Sequence, residues 1–267
     1  MHRRTSPAPA RPGRNKKGAA GPASPRHGLA RVLSKLGICS RSEAARWIGD
    51  GRVAVAGQVV RDPEFPIPQG APPRIEVDGQ PVGEAARRYV MLNKPRGLVT
   101  SVRDERSRDT VYRCFDGAGL PWLAPVGRLD KASEGLLLFC NDPEWAASIT
   151  DPERGPDKTY HVQVDCIPDA QQLRRMHEGI EVGAGERLRA SRVAVLREGT
   201  RNAWLEITLE EGRNRQIRRL MEAQGIAVLR LVRVAIGGLR LGTLAKGAWR
   251  PLERWEVEAL APAPARD

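Results

Sequence analysis

The sequence predicts an α+β fold in two parts, and three observations carry that prediction. Strand-like segments outnumber helical ones. Their order is irregular, which fits separated strands and helices better than a repeated strand–helix–strand unit. A compact helix-and-hairpin stretch precedes the larger strand-rich region. The chain has 267 residues, 40% of them hydrophobic but only 4% aromatic, so aliphatic side chains must fill its core.

Residues 28–82 form the first part. Leu29–Leu36 reads as a short helix ended by Gly37. Ser40-Arg41-Ser42-Glu43 has the spacing of a capping box, in which Ser40 covers the amide of Glu43 and Glu43 reaches back. The helix it opens is expected to run to about Ile48, with Gly51 as the stop. Val53-Ala54-Val55, a turn at Ala56-Gly57 and Val59-Val60 make a tight hairpin. A further strand at 75–77 meets a second turn at Asp78-Gly79.

Residues 88–258 form the second part. Tyr89–Asn93 alternates like a strand and runs into the turn Lys94-Pro95-Arg96-Gly97. Gly127-Arg128-Leu129-Asp130 precedes an apolar strand at 135–139. Asp142-Pro143 suits a helix N-cap followed by proline at the first helical position. Residues 158–164 and 203–209 are strands, and 214–224 is a helix closed by Gly225. Residues 259–267 are expected to be a tail.

Composition narrows the function. Lys and Arg total 44 against 32 Asp and Glu, a net charge of +12, and the pI near 10.3 points to a polyanionic partner. Residues 1–27 hold seven basic side chains and no acid, in a Pro-, Ala- and Gly-rich stretch that cannot bury apolar surface. This segment is expected to be a disordered basic tail. It is either a solubilising extension or an arm on nucleic-acid phosphates, and the charge favours the arm. No apolar run approaches the roughly 20 residues of a membrane span, and no apolar segment follows the basic N-terminus as in a secretory signal. Cys39, Cys114, Cys140 and Cys166 are widely spaced, which argues against a structural metal and a disulfide framework. The expected location is the cytoplasm. No G-x-x-x-x-G-K-[ST] or G-x-G-x-x-G occurs, so no nucleotide cofactor is expected.

Candidate residues come from these two parts. Arg31, Lys35, Arg41, Arg46 and Arg52 lie along the first helix pair against only Glu43 and Asp50. In the second part, Asp130 sits beside Arg128 at the mouth of an apolar strand, where a partly desolvated carboxylate needs a cation to stay ionised. At about 100° per residue, Ile217, Leu220 and Met221 form one apolar stripe of the 214–224 helix. Arg215, Arg218 and Arg219 gather on its other side, with Arg218 at the border, where its stem can pack and its guanidinium fork onto a carboxylate. Arg218 is therefore the expected partner of Asp130. The alternative is that all three arginines hold phosphates.

Three segments carry a family resemblance. R-V-L-S-K-L-G-I-C-S-R-S-E-A followed by G-R-V-A-V-A-G-Q-V-V resembles the small S-four-like (alpha-L) RNA-binding domain. G-R-L-D-K-A-S-E-G-L-L-L-F resembles the signature of pseudouridine synthases. K-P-R-G-L-V-T-S, K-T-Y and E-G-R-N-R-Q-I-R-R-L fall around it in the family's order. Together they resemble the ribosomal RNA branch, the RsuA/RluB/RluE/RluF group, over about residues 29–252. The last motif leans toward members acting on the large subunit.

The resemblance implies a catalytic domain with a largely antiparallel mixed sheet flanked by helices. It implies isomerisation of a uridine within ribosomal RNA, or a ribosomal precursor particle, to its carbon-linked isomer. The base is detached, turned and rejoined through C5, with no cofactor and no metal. Asp130 is then the essential carboxylate, acting as a nucleophile or by assisting cleavage and deprotonation. The target must be flipped from its stack, with Arg128 filling the vacated space, Tyr160 stacking on the uracil and Arg218 holding Asp130. Tyr160 has a rival reading as a core residue of its alternating strand. RNA contacts are expected from Lys35, Arg41, Arg46 and Arg52 in the first part, and from Lys94, Lys158, Arg213, Arg215 and Arg219 in the second. A monomer is expected. Ser133 stands where the motif commonly has Thr, and Glu134 where a small residue is frequent; both bear on substrate placement. Two other classes compete: a non-catalytic RNA-binding or ribosome-assembly protein on the same fold, and a hydrolase with paired carboxylates. Asp130 and Tyr160 are both present, against the former, and no second acid sits in a comparable motif, against the latter.

Overall fold

The computed structural model describes residues 26–68, 72–83, 85–101, 108–183 and 185–260. The tail expected at 1–27 lies outside them except for its last two residues, and residues 261–267 also lie outside.

The N-terminal unit begins at β1 (Arg26–Gly28), followed by α1 (Leu29–Lys35), α2 (Arg41–Gly49), β2 (Val53–Val55), β3 (Gln58–Val59), β4 (Pro66–Pro68), β5 (Ile75–Val77) and β6 (Gln80–Pro81). Arg26 and His27 are therefore not tail residues: they pair antiparallel with Pro68 and Ile67. A four-stranded sheet in the order β3-β2-β5-β6 packs with the helices around Leu29, Leu33, Ile48 and Val53. Ser40 caps α2 by accepting the Glu43 amide at 3.1 Å. Glu43 does not complete the box, because its carboxylate bonds Arg46 at 2.6 Å instead.

The larger unit contains β7 (Tyr89–Lys94), β8 (Ala124–Val126), β9 (Glu134–Cys140), α3 (Pro143–Thr150), β10 (Lys158–Val164) and α4 (Ala170–Glu178). It continues with β11 (Ile180–Glu181), β12 (Arg187–Leu188), β13 (Arg192–Glu198), β14 (Ala203–Leu209) and α5 (Gln216–Glu222), and then β15 (Val228–Ile236), β16 (Leu239–Arg240), β17 (Trp249–Pro251) and α6 (Arg254–Leu260). Its sheet runs β13-β14-β10-β15-β9-β7-β17, with β16 beside β15 and β8 beside β9. All of these pairings are antiparallel except β15 with β9. It is a mixed, largely antiparallel sheet flanked by helices. No helix among the described residues is long and apolar enough to cross a membrane.

Burial follows position in that sheet. Every residue of β9 is buried, as a central strand covered on both faces must be. Leu137 and Phe139 enter the cluster with Tyr160 and Val162, whereas Leu136 and Leu138 pack with Met91 and Trp145 on the other face. Ile217 and Met221 of α5 join the Tyr160 cluster, which sets α5 on that face of the sheet.

Gly135 makes the parallel joint possible. Its φ is +101°, and a Cβ there would lie 2.2 Å from the carbonyl oxygen of Arg233, so only glycine permits the approach.

Two chain ends differ from expectation. α5 starts at Gln216 rather than 214 because Arg215 takes a left-handed conformation, φ +51° and ψ +30°, which α-helical propagation cannot include. Residues 259 and 260 belong to α6, and Leu260 is buried against Trp145 and Ile236 rather than lying in a tail.

Candidate active site

The loop from Gly127 to Ser133 carries Asp130 and is held by the segment that sequence analysis singled out at 94–101. Lys94 is fully buried, and its ammonium donates to the carbonyl oxygens of Pro95 at 3.1 Å, Asp130 at 3.2 Å and Ser133 at 2.8 Å. Thr100 Oγ1 donates to the Leu129 carbonyl at 2.7 Å, and the Gly97 amide donates to the Lys131 carbonyl at 2.8 Å. These bonds all grip the backbone, so the Asp130 carboxylate is left to the solvent side of the loop.

Lys94 was expected to contact RNA, and this is corrected. A side chain with no exposed surface reaches no phosphate; its role is to fix the loop. Burial lowers its pKa to about 8, with Asp130 and Glu134 acting in the opposite direction.

Asp130 lies at the edge of a cavity of about 720 Å³ shared with Arg128, Ser133, Lys158, Tyr160, Arg215 and Arg218. Its side chain is 38% exposed, and its ion-pair partner is Arg215, at 3.8 Å. The expected pairing with Arg218 is thus not the one formed. Arg218 reaches only the carbonyls of Val228 and Ala132, both at 3.5 Å, and its Nε is buried with no partner among the described residues. Burial and then Arg215 lower its pKa, while Asp130 raises it, so Arg218 stands within the carboxylate's field without touching it.

Tyr160 is 9% exposed and belongs to the core cluster, yet it also lines the cavity. Both readings of this residue meet in one position, where the core face of β10 opens into the site. Arg128 is exposed at the cavity edge.

The remaining cations divide by their partners. Arg213 bonds Glu211 at 2.8 Å and Glu186 at 3.2 Å, and Arg219 is in close contact with Glu186. Their charge is already offset by carboxylates. In the N-terminal unit Lys35, Arg41, Arg46 and Arg52 are all exposed. Arg46 pairs with Glu43 at 2.6 Å. Arg52 donates from Nε to Asp78 at 2.9 Å and lies 5.0 Å above the Trp47 ring.

Sequence reasoning missed two contributors. Gln216 is 2% exposed, and its amide donates to the Arg189 carbonyl at 3.0 Å and to Glu211 at 3.1 Å. It thereby anchors the first turn of α5. Arg233, 6% exposed, enters the cavity from β15. The available signal was a pair of arginines, Arg230 and Arg233, inside the otherwise apolar run V-L-R-L-V-R-V-A-I.

Among the described residues, six cationic side chains and three carboxylates line the cavity. With an aromatic ring inside and a carboxylate at its lip, it suits a nucleotide drawn out of an RNA strand, as the site of an RNA-modifying enzyme must. Residues 88–223 match the family model described as RNA pseudouridylate synthase, and residues 28–71 match that of the S4 domain. An Aquifex aeolicus protein described as an uncharacterized RNA pseudouridine synthase is 38% identical, over 86% of this chain and 92% of its own length. The Bacillus subtilis ribosomal large subunit pseudouridine synthase B is 35% identical, over 87% of this chain and 94% of its own. A crystal structure of a pseudouridylate synthase superposes with a TM-score of 0.61 at 30% identity, covering 88% of this chain and 99% of that one. The chain belongs to the RNA pseudouridylate synthase family. It is accordingly an isomerase.

Proposed function

We propose that the protein isomerises a uridine of large-subunit ribosomal RNA to pseudouridine, acting as a cytoplasmic monomer with Asp130 as its essential carboxylate. The observation that carries this reading is the shared cavity of Asp130, Tyr160 and Arg218, contributed by one chain. The 35% identity to the Bacillus subtilis enzyme supports the large-subunit assignment.

The residues divide the work as follows. Lys35 and Arg41 of the N-terminal unit hold folded RNA by its phosphates, reading shape more than sequence. The target uridine leaves its stack and enters the cavity, where Tyr160 stacks on the ring and Arg128, exposed at the edge, fills the gap in the RNA. Asp130 then acts at the nucleotide, as a nucleophile or by assisting glycosidic cleavage and deprotonation, and the freed base turns and rejoins through C5. Arg215 and Arg218 place positive charge beside the carboxylate. Lys158 adds positive charge for the RNA strand at the cavity wall.

The test is a pseudouridine map of ribosomal RNA from cells with the gene, without it, and complemented with wild type or Asp130→Asn. One or a few large-subunit positions should vanish without the gene and return only with wild type. An unchanged map, with a ribosome-assembly defect in its place, would point to the non-catalytic alternative. Positions lost from the small subunit would overturn the subunit assignment alone.

A further inference from the structure

The register of the central sheet brings together two cations that the chemistry at Asp130 does not use. Arg233 on β15 stands directly opposite Tyr160 on β10, and residues opposite one another in an antiparallel pair share a face. Lys158 is two residues from Tyr160 along β10 and so lies on that face too. All three line the cavity. A β-bulge at 234 follows Arg233 and sets Ile236, not Ala235, opposite Lys158. Such irregularities recur beside active sites, where they re-aim side chains.

Neither cation forms an ion pair among the described residues. Arg233 Nε donates to the Leu136 carbonyl at 2.7 Å, which locks the guanidinium in place. Its Nη2 is buried without a partner among the described residues. The half-buried Lys158 ammonium has no hydrogen bond or ion pair there either. Burial first, and the charge of Arg233 second, lower the Lys158 pKa, and Asp157 and Asp151 oppose this only in part. Two adjacent like charges with unused donors destabilise the empty protein unless an anion joins them. Ser133 Oγ and Arg218 Nε, on the same cavity, also lack partners among the described residues.

We propose that Lys158 and Arg233 form an anion subsite that takes the phosphate adjoining the flipped nucleotide, an inference that rests on reading the cavity as the uridine site. Uracil is neutral and offers single carbonyl oxygens. A phosphodiester carries a full charge on two free oxygens, which matches a point-charge ammonium beside a planar guanidinium fork. Because both cations share Tyr160's face, the phosphate they hold belongs to the nucleotide whose base stacks there.

The experiment measures binding without turnover, by equilibrium dialysis of the full-length protein against uridine, uridine 5′-monophosphate and uridine 3′-monophosphate. Wild type should bind one of the monophosphates at least about tenfold more tightly than uridine, and Lys158→Met should erase that preference. The same substitution should raise the thermal midpoint of the free protein, since it removes a charge that Arg233 repels. Arg233→Lys keeps the charge but loses the fork and should retain part of the preference. If Arg233 variants fail to fold, Lys158→Met decides. Equal binding of uridine and both monophosphates by wild type, or an undiminished preference in Lys158→Met, overturns the subsite. A protein that shows the preference yet leaves ribosomal RNA unmodified keeps the subsite and refutes the proposed function, so the two failures are separable.

Discussion

The Lys94 ammonium binds the main-chain carbonyl of Asp130, at 3.2 Å, and leaves its carboxylate untouched. With the Pro95 and Ser133 carbonyls, this uses all three of its donor hydrogens on main-chain oxygens, two of them on the loop that carries Asp130. A buried charge thus fixes the backbone on which the reactive group is mounted, in the way a preorganised site requires.

The first prediction concerns pH. Burial lowers the Lys94 pKa from 10.5 to about 8, so between those values the unfolded chain binds more protons than the folded one. Stability from this group therefore rises with pH across that window, by on the order of 3 kcal/mol in total. Activity should move the other way, because the neutral amine has lost one of the three donors it gives to these carbonyls. Single-turnover rates at saturating RNA should fall as pH passes about 8 while the contribution to folding increases. Lys94→Met should be slower by at least about tenfold and lack this limb of the profile. A wild-type rate that stays flat through pH 9.5, or a limb that persists in Lys94→Met, removes Lys94 from this role; the pH range is set at about 1.5 above the group's pKa.

Asp130→Asn should leave folding and RNA affinity nearly unchanged while abolishing isomerisation. The loop is held through its backbone, and the exposed 3.8 Å contact with Arg215 contributes at most about 1 kcal/mol. Tritium release from 5-tritiated uridine in RNA reports the reaction. Residual turnover within about tenfold of wild type, some 1.4 kcal/mol of barrier, would falsify the assignment of Asp130.

Tyr160 serves the core and the cavity at once, so a single substitution confounds the two. Tyr160→Ala should cost about 3–5 kcal/mol of stability, as for truncation of other buried aromatic side chains, and should also abolish most activity. Tyr160→Phe keeps the ring that packs and stacks, and should unfold within about 1 kcal/mol of wild type. Activity measured well below either variant's thermal midpoint separates the roles. If Tyr160→Ala, folded at low temperature, turns over like wild type, the residue is only structural.

How much of this was legible in the sequence depended on how local the cause was. Strands at 158–164 and 203–209 have the bounds their alternation indicates, since period-2 burial is written in adjacent residues. The cap of Ser40 and the Asp142-Pro143 helix start are local as well. What was not legible is set by partners distant in the chain. Lys94 looks like a surface cation in K-P-R-G, and only the fold encloses it with the loop some 36 residues later. Helical periodicity singled out Arg218 but assumed that the helix began at Asn214; the left-handed Arg215 delays the helix start and turns a different guanidinium toward Asp130. Arg233 reads as an irregularity in an apolar strand until its register with Tyr160 is known.

The N-terminal unit offers the last prediction, because its exposed cations are not equivalent. Arg46 and Arg52 face carboxylates on Glu43 and Asp78, whereas Lys35 and Arg41 make no ion pair among the described residues. A cation already beside a carboxylate displaces fewer counterions from RNA, since the phosphate competes with an existing partner. Lys35→Gln and Arg41→Gln should each weaken RNA binding and lower the log–log salt slope by about 0.7–0.9. Arg46→Gln and Arg52→Gln should change the slope by clearly less, and Arg52→Gln should in addition lose the stacking on Trp47. None of the four lies in the cavity, so single-turnover rates at saturating RNA should stay near wild type in all of them. Affinities measured across a salt series decide the matter. Equal slopes for all four variants would show that the intramolecular pairs open at no cost on the RNA, and four unchanged slopes would show that this helix pair is not the surface that grips the phosphates.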